Sequence, residues 1–222
     1  MNSDKEKLSF NDRLVNFLTN NRIIFLVVFI VLVLAFVGYI ITTTMLHNSN
    51  EKTYENLNKI ITEYSLLPEE DKNSDDELDR VFGELENLAG SALGFSKVKV
   101  FQSAGELAVD NEDWERALDY YTSAIKKCGN NYLKPVLYMA RGAVLEEIGD
   151  SDSALLDYLA AAETVDFPFV GQAYLNAGAV EEVRGNSETA RVYYNKVIEN
   201  SPYTTLSSLT QSRLIILDIE AE

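Results

Sequence analysis

Three segments of the chain align without a gap, and their shared columns constrain the fold more than any other feature. WERALDYYTSAI (114–125), SDSALLDYLAAA (151–162) and SETARVYYNKVI (187–198) place Ala117, Ala154 and Ala190 four residues before Tyr121, Tyr158 and Tyr194. Twelve residues before each alanine stands a glycine (Gly105, Gly142, Gly178), and four residues before each glycine an aromatic ring (Phe101, Tyr138, Tyr174). Self-similarity at a period of 37 and then 36 residues, with helical spacing in each half, predicts helix pairs stacked in a row. Antiparallel helices approach closely only where small side chains face each other, and Gly and Ala at fixed offsets supply that contact. The rings are expected to fill the wedge between one pair and the next. The turns NED (111–113), GDS (149–151) and GNS (185–187) combine helix-stopping Gly or Asn with Asp or Ser caps.

These columns resemble the tetratricopeptide repeat, whose pattern is aromatic-x-x-small-Gly-x-x-aromatic, then Ala-x-x-x-aromatic, then Pro. The third copy ends in NSP, with Pro202 twelve residues after Ala190. The period is longer than the family's roughly 34 residues, and Arg141 and Glu181 replace apolar consensus positions. The resemblance implies an all-α solenoid of three repeats over 96–202 (96–130, 132–167 and 169–202). Residues 203–222, with Leu206, Leu209, Leu214, Ile216 and Leu217, read as the helix that caps its end.

Upstream, Ile23 to Ile41 is a run of 19 residues without a charge, long enough to cross a bilayer of about 30 Å as a helix. It has neither a polar stripe nor an A-x-A cleavage pattern, so it reads as an uncleaved signal anchor over 23–46. Four basic residues precede it in 1–22, against Lys52 and Lys59 in the 20 residues after Ile41. The positive-inside rule then keeps the N-terminus in the cytoplasm and exports the rest. In the stub 1–22, Ser9 and Asp12 resemble a capping box, and Phe10, Leu14, Phe17 and Leu18 share a helical face. That pattern fits either an interfacial helix or a continuation of the span. Residues 47–95 are expected to hold a linker containing His47, then two lead-in helices around the polar loop PEEDKNSDDE (68–77), with Gly90 as the second stop.

Composition removes whole classes of function. With 19 basic against 35 acidic residues the net charge is −16, the wrong sign for nucleic acid. One His and one Cys leave no parts for a zinc site, a Cys/His pair, a serine triad or a disulfide framework. No nucleotide-loop, hydrolase-elbow or calcium-loop motif occurs. The chain reads as a non-enzyme without cofactor or metal; a hydrolase using hidden carboxylates is the remote alternative.

If the repeat resemblance holds, the first helices present Gln102, Glu106, Asp110, Met139, Ala143, Glu146, Glu147, Leu175, Ala179 and Glu182 on the concave side. That set lacks the Lys, Arg and Asn of a carboxylate clamp. An apolar floor (Met139, Ala143, Leu175, Ala179) with an acidic rim suits a hydrophobic or basic polypeptide segment. The same acids equally serve plain solubility.

The full layout, including DRLVNFLTNNR before the span and LSSLTQSRLIIL near the end, resembles the YfgM-like family. Its members are inner-membrane proteins with a periplasmic tetratricopeptide domain, ancillary to the SecYEG translocon and in contact with periplasmic chaperones. The resemblance implies a tethered scaffold whose partners are translocon subunits, chaperones or exported chains. A scaffold for envelope, division or outer-membrane assembly machinery and plain self-association are the alternatives.

Overall fold

The structure, a computed structural model, describes residues 10–72 and 74–220. Among the described residues there is no strand, and the chain divides into two units at Ser49/Asn50.

The first unit holds α1 (Phe10–Asn20) and the beginning of α2 (Arg22–Ser65). Asn21 separates the two helices, its side-chain amide donating to the Phe17 carbonyl at 2.8 Å. The Phe17 ring meets Phe25 edge-on at 5.8 Å. Leu14, Phe17 and Leu18 are exposed; Ser9 and the Asp12 side chain of the expected capping box, and the Phe10 side chain of that face, lie outside the described residues. Every residue of the apolar stretch of α2, Ile23 to Ile41, is exposed among the described residues. The hydroxyls of Thr42 and Thr43 bond back to the carbonyls of Gly38 and Tyr39 at 2.8 and 3.0 Å, so they stay satisfied without water. The expected linker at His47 is helical instead, because no Gly or Pro interrupts the chain between Gly38 and Pro68.

The second unit begins with the rest of α2 and continues through a short α3 (Glu69–Lys72) to α4 (Asp75–Ser91). The expected acidic loop is therefore shorter than ten residues. Ser74 caps α4 by accepting the Glu77 amide, and three acids in the first turn suit the positive end of the helix. Gly90 is not the stop: α4 runs to Ser91, and Gly94, at φ 56°, reverses the chain. Leu57 and Tyr64 of α2 and Val81, Phe82, Leu85 and Ala89 of α4 join one core with the first repeat.

Three helix pairs follow: α5 (Phe95–Asp110) with α6 (Trp114–Cys128), α7 (Lys134–Glu147) with α8 (Ser151–Ala162), and α9 (Val170–Val183) with α10 (Ser187–Asn200). The aligned columns are their contacts. A Cβ on Gly105 would lie 2.9 Å from the Tyr121 ring and one on Gly142 2.7 Å from the Tyr158 ring, and Gly178 abuts Tyr194 in the same way. Ala117, Ala154 and Ala190 are fully buried. One turn recurs in all three pairs. The amides of Asp113, Asp150 and Asn186 reach back to Ala108, Leu145 and Glu181 at 2.8–2.9 Å around a left-handed residue, Glu112, Gly149 or Gly185. Asp113 and Asp150 cap the second helices, each accepting an amide at 3.1 Å. Asn186 makes no such cap and donates its side-chain amide to Glu181.

The two departures from the apolar pattern are internally paired. Arg141 grips the buried Asp157 with two bonds of 2.7 and 2.8 Å. Glu181 is buried between Arg184 at 2.8 Å and Asn186 at 2.7 Å. The last helix, α11 (Thr205–Glu220), closes the row with Ser207, Thr210 and Leu217 buried. Arg191 of α10 holds its end through Asp218 and, at 2.7 Å, the Leu217 carbonyl. Leu209, Ile216 and Ile219 of α11 stay exposed.

Candidate binding surface

The residues expected to line a groove all come from the first helix of each pair. In α5, Lys99 donates to Gln102 at 2.8 Å and Gln102 donates to Glu106 at 2.8 Å. Glu106 and Asp110 are exposed beside Tyr121, whose phenol is pushed up by burial first and by these two acids next.

In α7 and α9 a neighbouring column, which holds Val109 in α5, carries acids that do internal work. Tyr158 donates its hydroxyl to Glu146, and Tyr194 donates to Glu182. Burial, followed by these hydrogen bonds, drives both phenols well above their ordinary range. Glu182 also meets Arg213 of α11 at 3.1 Å. Two rim acids are thus tied to the repeat register itself, in addition to facing solvent. Glu147 is exposed.

The expected apolar floor is smaller than the sequence suggests. Leu175 is buried against Ala190, Tyr194, Val197 and Leu217, because α11 packs over the third pair and takes this side chain into its core. Ala143 is exposed, Met139 and Ala179 half-buried, so Met139 and the two alanines are what remains.

The aromatic column behaves differently in each repeat. Phe101 stacks on Tyr120 with centroids 6.5 Å apart, and Tyr174 on Tyr193 at 6.3 Å. Tyr174 also packs into the clusters on both sides of the seam between the second and third pairs, filling the expected wedge. Tyr138 lies under Lys134 and Arg141. Beside these rings open two shallow clefts that the groove reading overlooked. One, of about 520 Å³, is lined by Lys97, Phe101, Tyr120 and Lys127 with Glu86 and Asp119. The other, of about 400 Å³, is lined by Lys134, Tyr138, Glu163 and Thr164. Lys97 and Lys134, like Phe101 and Tyr138, are 37 residues apart, so the clefts are one feature repeated. That lysine column is visible in the sequence, masked there by the attention the acids draw.

The packing of these pairs agrees with comparison to solved structures. BtubC (BKLC) from P. vanneervenii superposes with a TM-score of 0.58 at 13% identity, covering 79% of this chain and 84% of that one. The fold is a tetratricopeptide-like α-solenoid. The Arabidopsis OM64 TPR domain matches at a TM-score of 0.48 and 24% identity, covering 55% of this chain and 97% of its own. In sequence, 143 residues, 64% of the chain, are 27% identical to a TPR repeat-containing protein of Treponema pallidum (strain Nichols). The match spans 60% of that relative's length. No family model matches the chain.

Proposed function

We propose that this chain is a membrane-tethered scaffold for protein–protein interaction, acting in protein export or in the hand-over of exported chains to periplasmic chaperones at the translocon. The observation that carries the tether is the apolar stretch of α2. It is apolar all round and, among the described residues, exposed along its whole length, an arrangement stable in lipid and costly in water. The excess of Lys and Arg before the span favours a cytoplasmic N-terminus and a periplasmic repeat domain at a bacterial inner membrane.

The repeats supply the interaction surface. The exposed acids Glu106, Asp110 and Glu147 beside Met139, Ala143 and Ala179 suit weak capture of a basic or hydrophobic segment. Tethering adds the local concentration that weak capture lacks. The layout shared with the YfgM-like family supports the export role.

Co-purification of the full-length protein, beside a form lacking residues 1–48, tests both parts. Translocon or chaperone components should accompany the full-length chain and be reduced without the anchor. Their absence from both preparations refutes the export role.

A further inference from the structure

Helices that run alternately up and down put their turns at two ends of the second unit, and the two ends differ in chemistry. Tyr64, near the end of α2, donates its hydroxyl to Asn111 in the α5–α6 turn at 3.0 Å. That end therefore carries the turns within repeats. At the other end of the same segment, Tyr54 lies beside Tyr132 of the α6–α7 turn; partial burial and then this neighbour push its phenol up. The Tyr132 ring in turn lies 6.0 Å from Phe95, just past the α4–α5 turn. The turns between repeats thus sit where the chain enters the unit, at Asn50.

Charge separates along the same direction. The within-repeat turns and their flanks (66–79, 110–115, 146–152 and 181–188) hold eighteen acidic and two basic residues. The between-repeat turns and their flanks (91–99, 126–134, 163–170 and 196–204) hold six lysines against Glu163, Asp166 and Glu199. Glu51, Lys52 and Glu55 at the chain entry shift that balance by one unit only. Among the described residues the lysines in ion pairs are Lys59 and Lys72, so the six at this edge are uncommitted to carboxylates.

Apolar side chains project from the same turns. Tyr132 is 78% exposed, Val165 85% and Phe169 60%, and Leu93 and Tyr203 are exposed as well. Phe95 and Tyr132 stand 37 residues apart, and Phe169, at the N-cap of α9, lies one place past that column because the third repeat follows at 36. Tyr203 is held outward by a left-handed backbone at φ 61°, uncommon for a non-glycine residue.

Rings with polar tips, exposed aliphatic tips and lysines unpaired with carboxylates on one edge match the interface of an anionic bilayer. We propose that the between-repeat edge of the second unit rests on an anionic membrane surface, the one crossed by the span proposed above, on which this inference partly rests. The net negative charge of the chain does not forbid it. A 14-residue helix is about 21 Å long, which puts the acidic turns about two Debye lengths from a surface the lysines touch.

The experiment uses the full-length chain in vesicles of phosphatidylcholine and phosphatidylglycerol with brominated acyl chains, and tryptophan emission as readout. Native Trp114, at the acidic end of α6, is the control; F169W and F29W, each with W114F, report the edge and the span. F29W should be quenched, F169W should lose about half its emission at the headgroup–acyl boundary, and Trp114 should be unaffected. K126E/K127E should restore the F169W emission, as should vesicles of phosphatidylcholine alone. Quenching of F29W without F169W overturns the edge contact, assigns the edge to a protein or a second copy, and leaves the span standing. No quenching of F29W overturns the span and the edge contact together. Equal quenching of F169W in phosphatidylcholine alone refutes the role of the lysines. Should W114F not fold, Y203C carrying a polarity-sensitive dye reads the same contact in the native background, where Cys128 is buried.

Discussion

Replacing single glycines by alanine tests whether the repeat columns are contacts or coincidence, because the structure assigns opposite signs to two of them. Gly83, in α4, has no atom within 4 Å of where a Cβ would sit. There Gly83→Ala should gain the helix propensity of alanine, about 1 kcal/mol. Gly142 gains the same propensity, but its Cβ would sit 2.7 Å from the Tyr158 ring and 3.0 Å from two further ring atoms. Tyr158 cannot swing aside: it is 1% exposed, and its hydroxyl is held by Glu146. Overpacking of this kind costs about 1–3 kcal/mol, leaving Gly142→Ala a net loss of about 1 kcal/mol. At about 2–4 °C per kcal/mol for a chain of this size, the two variants should melt on opposite sides of wild type. Tyrosine near-ultraviolet circular dichroism of the full chain in detergent follows the transition. Gly142→Leu should lose the folded signal altogether. A Gly142→Ala protein that melts as high as Gly83→Ala would show that the glycine column does not face the tyrosine column.

Arg141→Ala should cost about 3 kcal/mol in the same melt, since it leaves the buried Asp157 carboxylate without its partner; R141M/D157L should recover most of the loss. Alkaline stability should fall as pH rises past about 10, the ordinary tyrosine value. Tyr120, Tyr121, Tyr158 and Tyr194 are all raised in the folded state, chiefly by burial, so above that pH the unfolded chain binds fewer protons and is favoured. Absorbance at 295 nm should show these four ionising together with unfolding; smooth independent titration of all tyrosines refutes the reading. Arg213→Ala should loosen α11 and expose Leu175, seen as faster amide exchange in α9 and α11 but not in α5.

Much of this architecture is legible in the chain because its determinants are local or periodic. The membrane-length apolar run needs only length and absence of charge. The Gly, Ala and Tyr columns reveal themselves by repetition, and the repeated turn by its Asp and Gly. The helix through His47 escaped because a short polar stretch looks like a linker until no residue in it breaks the helix. Ser74 was hidden inside an acidic run that composition alone reads as loop.

What lay beyond reach were long-range pairings. That Arg141 meets Asp157 follows from which helix faces turn toward each other. The burial of Leu175 follows from where α11 comes to rest. The separation of lysines and rings at one edge from acids at the other exists only once helix direction alternates in space, since along the chain the two kinds of turn simply succeed each other. The sequence by itself determined the helices, their period and the membrane-length run, because those depend on neighbours a few residues apart. Only the tertiary structure decided which acids are committed to tyrosines and which edge is left free, because packing brings together residues of different helices, such as Glu146 and Tyr158 or Glu182 and Tyr194.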